Sequence, residues 1–112
     1  MVLESEFQAE LIKELRVMFP GCVILKNDPN YLQGFPDLLI LFRTHWAALE
    51  VKRSDKEPFR PNQEYYLEEL DKISFAACIY PENREKILDE LQFSFRAGRQ
   101  TRLPKRVQIP LD

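Results

Sequence analysis

The sequence predicts a single α/β domain, a mixed β-sheet flanked by helices in the order α-β-β-β-α-β-α. Three observations lead there. Apolar residues recur at helical spacing over residues 4–18; two apolar runs of strand length near the middle are separated by a short polar link; and two later helical stretches each open at a proline. With 112 residues, 45% of them apolar and 12% aromatic, the composition suits a single domain with one adequate core, and no second domain is expected.

In the first helix, Phe7, Leu11, Ile12, Leu15, Met18 and Phe19 form an apolar arc into which Glu4 and Gln8 also fall. Ser5 and Gln8 also fit a capping box, which would leave Glu4 just ahead of the helix. Pro20-Gly21 ends the helix, and strand 22–26 follows, then a loop through Asn27-Asp28-Pro29-Asn30 to Phe35. Leu38 to Phe42 is apolar on both faces, as expected of a central strand covered on each side. Arg43-Thr44-His45 reads as a hairpin link, so strand 37–42 should pair antiparallel with strand 46–52. There Ala47, Leu49 and Val51 share a core face, while Trp46, Ala48, Glu50 and Lys52 share the other. After a charged loop over 53–60, Pro61 is expected to start a helix with Tyr65, Tyr66, Leu67, Leu70 and Ile73 as its apolar positions. Strand 75–80 comes next, and Pro81 starts a third helix with Ile87, Leu88 and Leu91 inward.

The net charge of -2 argues weakly against nucleic acid, but the charge is unevenly spread. Residues 92–112 carry Arg96, Arg99, Arg102, Lys105 and Arg106 against one acid, Asp112. The chain therefore divides into a domain over 1–95 and a basic tail over 96–112, which either tracks phosphates or is simply solvated. No apolar run approaches a membrane span, and the acidic start Met1-Val2-Leu3-Glu4 is unlike a secretion signal. These features predict a cytoplasmic protein that makes no membrane contact. Cys22 and Cys78 fall in predicted strands without a Cys or His neighbour, the pattern of reduced, buried small residues. His45, at the turn, is expected on the surface.

Asp37, Glu50 and Lys52 carry the chemistry. Counting outward from the hairpin turn brings Asp37 close to Glu50, and two carboxylates about 4 Å apart repel by roughly 4 kcal/mol at an effective dielectric near 20. A hard divalent cation removes that cost. An oxygen donor set without a His or Cys cluster suits Mg²⁺ or Mn²⁺, and Lys52 beside it could orient or deprotonate a water and neutralise charge growing on a phosphate. The bland alternative is a same-face Glu50–Lys52 ion pair worth about 0–1 kcal/mol, with Asp37 capping a turn after Pro36.

Pro36-Asp37, a spacer and Glu50-x-Lys52 resemble the PD-(D/E)XK nuclease superfamily, and the finer pattern resembles its virus-type replication-repair nuclease (VRR-NUC) branch. The matching elements are Glu4, Phe7 and Gln8 on the first helix, Gly34-x-Pro36-Asp37, Glu50-x-Lys52, and Gln63 near the start of the next helix, together spanning roughly residues 4–80. The sequence departs from a well-capped pattern at Arg60, where Ser or Thr would serve better, and at Asp71-Lys72-Ile73-Ser74, which lacks a terminating Gly. The resemblance implies a restriction-endonuclease-like fold and cleavage of DNA, on branched or otherwise structured substrates in replication, recombination or repair. It implies Asp37, Glu50 and the Val51 carbonyl as metal ligands, Glu4 as a further ligand directly or through water, Lys52 as the catalytic lysine, and Gln63 as a group steadying the water or phosphate. Lys26, Arg53, Lys56 and Arg60, in loops flanking this centre, are the expected phosphate contacts, and Tyr31 either stacks on a base or packs. A homodimer is expected if the target is a two-fold junction. Two other classes compete: a fold member that binds nucleic acid without cutting it, and an interaction protein anchored through an exposed Phe93 and Phe95.

Overall fold

The computed structural model describes residues 3–97. Its elements are α1 (Glu4–Met18), β1 (Val23–Lys26), β2 (Leu38–Phe42), β3 (His45–Val51), α2 (Gln63–Ile73), β4 (Phe75–Ile79) and α3 (Arg84–Ala97), the last preceded by a single 3₁₀ turn over Pro81–Asn83. Order and type match the sequence expectation. The four strands lie side by side as β1-β2-β3-β4. β1 and β2 are antiparallel, as are β2 and β3, whereas β3 and β4 are parallel. A parallel pair needs a crossover, and α2 provides it.

The β2–β3 hairpin closes with two residues, Arg43 and Thr44, with Arg43 at φ 57, and Phe42 pairs with His45. His45 is thus the first residue of β3 and not part of the link. Nor is it a surface residue: its ring is half-buried against Phe95, centroids 5.5 Å apart, and its Nε2 is buried without a hydrogen-bond partner.

Period-two alternation places Leu38 and Ile40 of β2, Ala47, Leu49 and Val51 of β3, and Ile79 of β4 on one face. Phe7, Leu11, Leu15 and Phe19 from α1 and Ile87, Leu88, Leu91 and Phe95 from α3 pack against them to form the core. Phe95 is accordingly a core residue, stacked on Phe42 and tilted against Phe19, and only Phe93 is exposed. The paired anchor expected from the sequence does not exist, because the two rings lie on different sides of α3.

The opposite face is covered unevenly. α2 lies over β3 and β4, leaving Val23 and Leu25 of β1 and Leu41 of β2 substantially exposed. β2 is therefore buried fully on one face only, contrary to the covered-on-both-sides expectation, while Ala47 to Val51 of β3 are all buried. α2 itself buries no residue completely. Tyr65 and Ile73, expected inward, are 61% and 71% exposed, and Tyr66, Leu67 and Leu70 make the contact half-buried.

The helix ends explain the remaining differences. α1 starts at Glu4, with the Leu3 N–H donating to Glu6 Oε1 at 3.2 Å, so the Ser5–Gln8 box is not the cap. α2 starts at Gln63, since Asn62 at φ 71 cannot be helical, which moves Pro61 into the turn before it. α2 ends without a glycine because Ser74 turns away, donating its N–H to Leu70 O and its hydroxyl to Trp46 O, while Asp71 Oδ1 accepts from the Ala76 N–H at 3.1 Å. Cys22 lies just ahead of β1, Cys78 within β4; both are free thiols and half-buried. Among the described residues no helix is long and apolar enough to cross a membrane. α3 continues through residues 96 and 97, and the rest of the basic tail lies outside the described residues.

Candidate active site

Asp37 immediately precedes β2, Glu50 is the next-to-last residue of β3, and Lys52 directly follows β3, both on the face toward α2. The hairpin register pairs Leu38 with Leu49, which sets Asp37 across from Glu50. The Val51 N–H donates to Asp37 Oδ2 at 2.8 Å, tying the carboxylate to the backbone between Glu50 and Lys52. Asp37 in turn accepts at its backbone oxygen from the Asn27 N–H at 2.8 Å, which anchors the end of β1 beside it. Asp37 and the Glu50–Lys52 segment are thereby held together by the hairpin register and by one side-chain-to-backbone bond.

Glu50 and Lys52 are each 3% exposed, and they are the two charged residues that the described core buries. Burying a charge costs several kcal/mol unless partners replace the lost water. Lys52 Nζ finds such partners, donating to Gln63 Oε1 at 2.9 Å and Pro58 O at 3.3 Å, with Glu50 Oε2 at 3.7 Å and Glu57 Oε2 at 4.0 Å. Gln63 links the pair, its Nε2 donating to Glu50 Oε2 at 2.8 Å and its Oε1 also accepting from the Arg60 N–H at 2.7 Å. Glu50 is less well served: its Oε1 is buried and has no hydrogen-bond partner among the described residues.

The electrostatics follow from this shortage. Burial, then the charge of Asp37, pushes the Glu50 carboxyl up to about 8, although Lys52 pulls the other way. Asp37 is also raised, chiefly by burial, against the opposing pull of the Val51 N–H and Lys52. Glu4, in the first turn of α1, is raised by burial and by the charges of Glu57 and Asp37. Across the strand pair from Glu50, Cys78 is pushed up to about 11 by burial and by the Glu50 charge, so it is a protonated, unreactive thiol.

These groups line one cavity of about 380 Å³ whose walls include Glu4, Asp37, Glu50, Lys52, Glu57 and Gln63. The bland reading, a solvated Glu50–Lys52 pair, does not describe it, because both side chains are buried. All five of the expected catalytic side chains, Glu4, Asp37, Glu50, Lys52 and Gln63, line this cavity, Glu4 from the first turn of α1. Among the described residues no group of three or more His, Cys, Asp or Glu side chains is close enough to form a complete metal-ligand set. The tight acid pair is Asp37 and Glu50. A divalent cation fits this pair on two counts: it would give the orphaned Glu50 oxygen a partner, and it would offset the burial that raises both carboxyls and the Asp37 charge that raises Glu50 further.

The expected phosphate contacts are less uniform. Arg60 lines the cavity. Lys26 is exposed as the last residue of β1, not in a loop, and Lys56 is exposed in the 53–60 loop. Arg53 is partly committed, its guanidinium 3.9 Å from Glu57 Oε1. Glu57 itself was not singled out from the sequence. It sits in an irregular loop where no periodicity marks orientation, and its one signal was an acid five positions after Lys52.

Gly34 explains how the loop closes on this site. It has φ 90, and a Cβ there would lie 2.6 Å from Asn62 Cβ and 2.8 Å from Pro61 O, so only glycine lets the 27–37 loop touch the turn that delivers Gln63. Compared with known proteins, the chain matches no family model, no curated protein and no solved structure.

Proposed function

We propose that the chain is a divalent-metal-dependent nuclease that hydrolyses phosphodiester bonds of DNA, with branched or structured DNA as its substrate. The observation that carries this reading is an acid–acid–lysine set, Asp37 with the buried Glu50 and Lys52, lining a cavity where one Glu50 oxygen has no partner among the described residues. Asp37, Glu50 and the Val51 carbonyl would hold Mg²⁺ or Mn²⁺, with Glu4, which lines the same cavity, as a further ligand directly or through water. Bound there, the ion supplies Lewis-acid polarisation of the phosphate and a more acidic water.

The chain's own residues do the remaining work. Lys52 brings a positive charge that water cannot screen, and a buried ammonium stabilises charge developing on phosphate oxygens more strongly than a solvated one. Gln63 fixes Lys52 and Glu50 relative to each other through one amide, so the cation and the carboxylate cannot drift apart. Glu57 and the Pro58 carbonyl hold Lys52 from the loop side. Arg60 at the cavity wall is placed for the incoming backbone.

Incubation of the purified chain with duplex, nicked, single-stranded and four-way junction DNA, in Mg²⁺, Mn²⁺ or chelator, tests the proposal. Cleavage should require the metal. Lys52→Ala and Glu50→Ala should each lose at least about 100-fold in rate, the scale of removing one electrostatic transition-state contact, while DNA binding persists. Metal-dependent binding with no cutting by the unaltered chain would instead mark a member of the fold that binds without catalysis.

A further inference from the structure

A second cavity, of about 390 Å³, lies against the one just described, on the other side of Asn27 and Phe35, which line both. It is predominantly apolar. Leu25 of β1 and Leu39 of β2 form its floor, Phe35 one wall, and Tyr31 its rim. This is the part of the sheet face that α2 leaves open. Tyr31 is 86% exposed, so core packing does not explain it. Its position is nevertheless fixed. The Tyr31 N–H donates to Asp28 O at 2.9 Å, the Asn30 N–H donates to Asp28 Oδ1 at 2.9 Å, and Asn27 Nδ2 donates to Leu32 O at 3.3 Å. Phe35 is braced edge-on by Tyr66, centroids 5.6 Å apart. An exposed aromatic side chain on a loop whose backbone is tied down, at the rim of an apolar floor, with Lys26 lining the same cleft and a reaction cavity through the shared wall, matches what an unpaired base and its phosphate need.

We propose that this cleft receives one unpaired nucleobase, stacked on Tyr31, of the strand whose phosphate enters the Asp37–Glu50–Lys52 cavity. The inference rests on the nuclease reading and makes DNA with an unstacked nucleotide at or beside the cut the preferred substrate over fully paired duplex. Lys26 contacts the phosphate of the docked nucleotide, and the Asp28 carboxylate stands at the rim as an acceptor for an exocyclic amine.

The test uses the full-length chain and a duplex bearing one unpaired 2-aminopurine, with binding followed by fluorescence in chelator so that no cleavage is needed. Emission should be quenched by the unaltered chain and by Tyr31→Phe, and not by Tyr31→Ala. In Mg²⁺, Tyr31→Ala should raise KM about tenfold on this substrate and leave kcat and fully paired duplex unaffected. Equal quenching by Tyr31→Ala, or an equal KM change on both substrates, would overturn the base-docking site while leaving the nuclease reading intact. Quenching by the unaltered chain with no metal-dependent cutting of any DNA would do the reverse.

Discussion

At Glu50 the requirements of the site and those of the fold oppose each other. Its ordinary carboxyl value is 4.5, and burial together with Asp37 raises it to about 8. The folded chain therefore binds a proton that the unfolded chain has released throughout that interval. Stability is favoured at and below about pH 4.5, falls as pH rises toward 8, and levels off above it. In chelator, thermal unfolding should thus show a falling Tm between pH 5 and 8. Glu50→Gln keeps the shape and can still accept from Gln63, but it cannot ionise. This variant should flatten the slope and at pH 8 melt about 4–8 °C above the unaltered chain, the equivalent of about 1 kcal/mol. An unchanged slope would mean that Glu50 is not the group carrying the pH dependence. A side chain that destabilises its own fold when ionised is characteristic of function rather than packing.

Elements were legible in the sequence to the extent that periodicity governs them. α1, β2, β3 and the inner face of α3 announce themselves through apolar spacing, and Asp37, Glu50 and Lys52 through strand alternation. α2 was misread at both its start and its faces. Asn62 adopts a left-handed conformation that no apolar pattern encodes, and a helix lying over half a sheet face presents its outer half to water whatever its residues. α2 packs on β4 and β3, and its start is set by the close approach of Gly34 to Pro61 and Asn62, which a Gly34→Ala change tests. With a Cβ 2.6 Å from Asn62 and φ 90, this substitution should cost about 1–3 kcal/mol and shift Gln63 away from Glu50, lowering Tm and cleavage rate together. Gly21 is the control. Its φ of 89 is similar, yet no described residue would lie within 4 Å of a Cβ there, so Gly21→Ala should lower Tm through backbone strain alone and leave the rate intact. If both variants lowered the rate to the same extent, the close approach at Gly34 would not be what holds the site.

For the whole molecule, the site lies where three separately built layers meet: α1 on one face of the sheet, α2 on the other, and the loop over 27–37 at the strand ends. Which groups face one cavity is a property of that meeting, and it is why Glu57 and the Asn27–Phe35 partition could not be read from the chain, whereas Asp37 and Glu50, joined by one hairpin register, could. A ligand that bridges Asp37 and Glu50 binds only when the hairpin is paired, so it must stabilise the whole fold by mass action. At 100 times its dissociation constant, Mg²⁺ or Mn²⁺ should add about 2.7 kcal/mol, a rise in Tm of about 10 °C or more for a domain of this size. The gain should be largest near pH 8, where Glu50 is losing its proton, and small at pH 5, where a proton already occupies the place of the cation. Asp37→Asn and Glu50→Gln should each abolish it, though Glu50→Gln starts from the higher Tm. Ca²⁺ offers the same hard charge with longer oxygen distances, so it should stabilise the chain whether or not it supports cutting. Melting curves therefore report on the cation site independently of catalysis. A Tm indifferent to all three ions at pH 8 would remove the metal from the site even if the cavity were found to bind DNA.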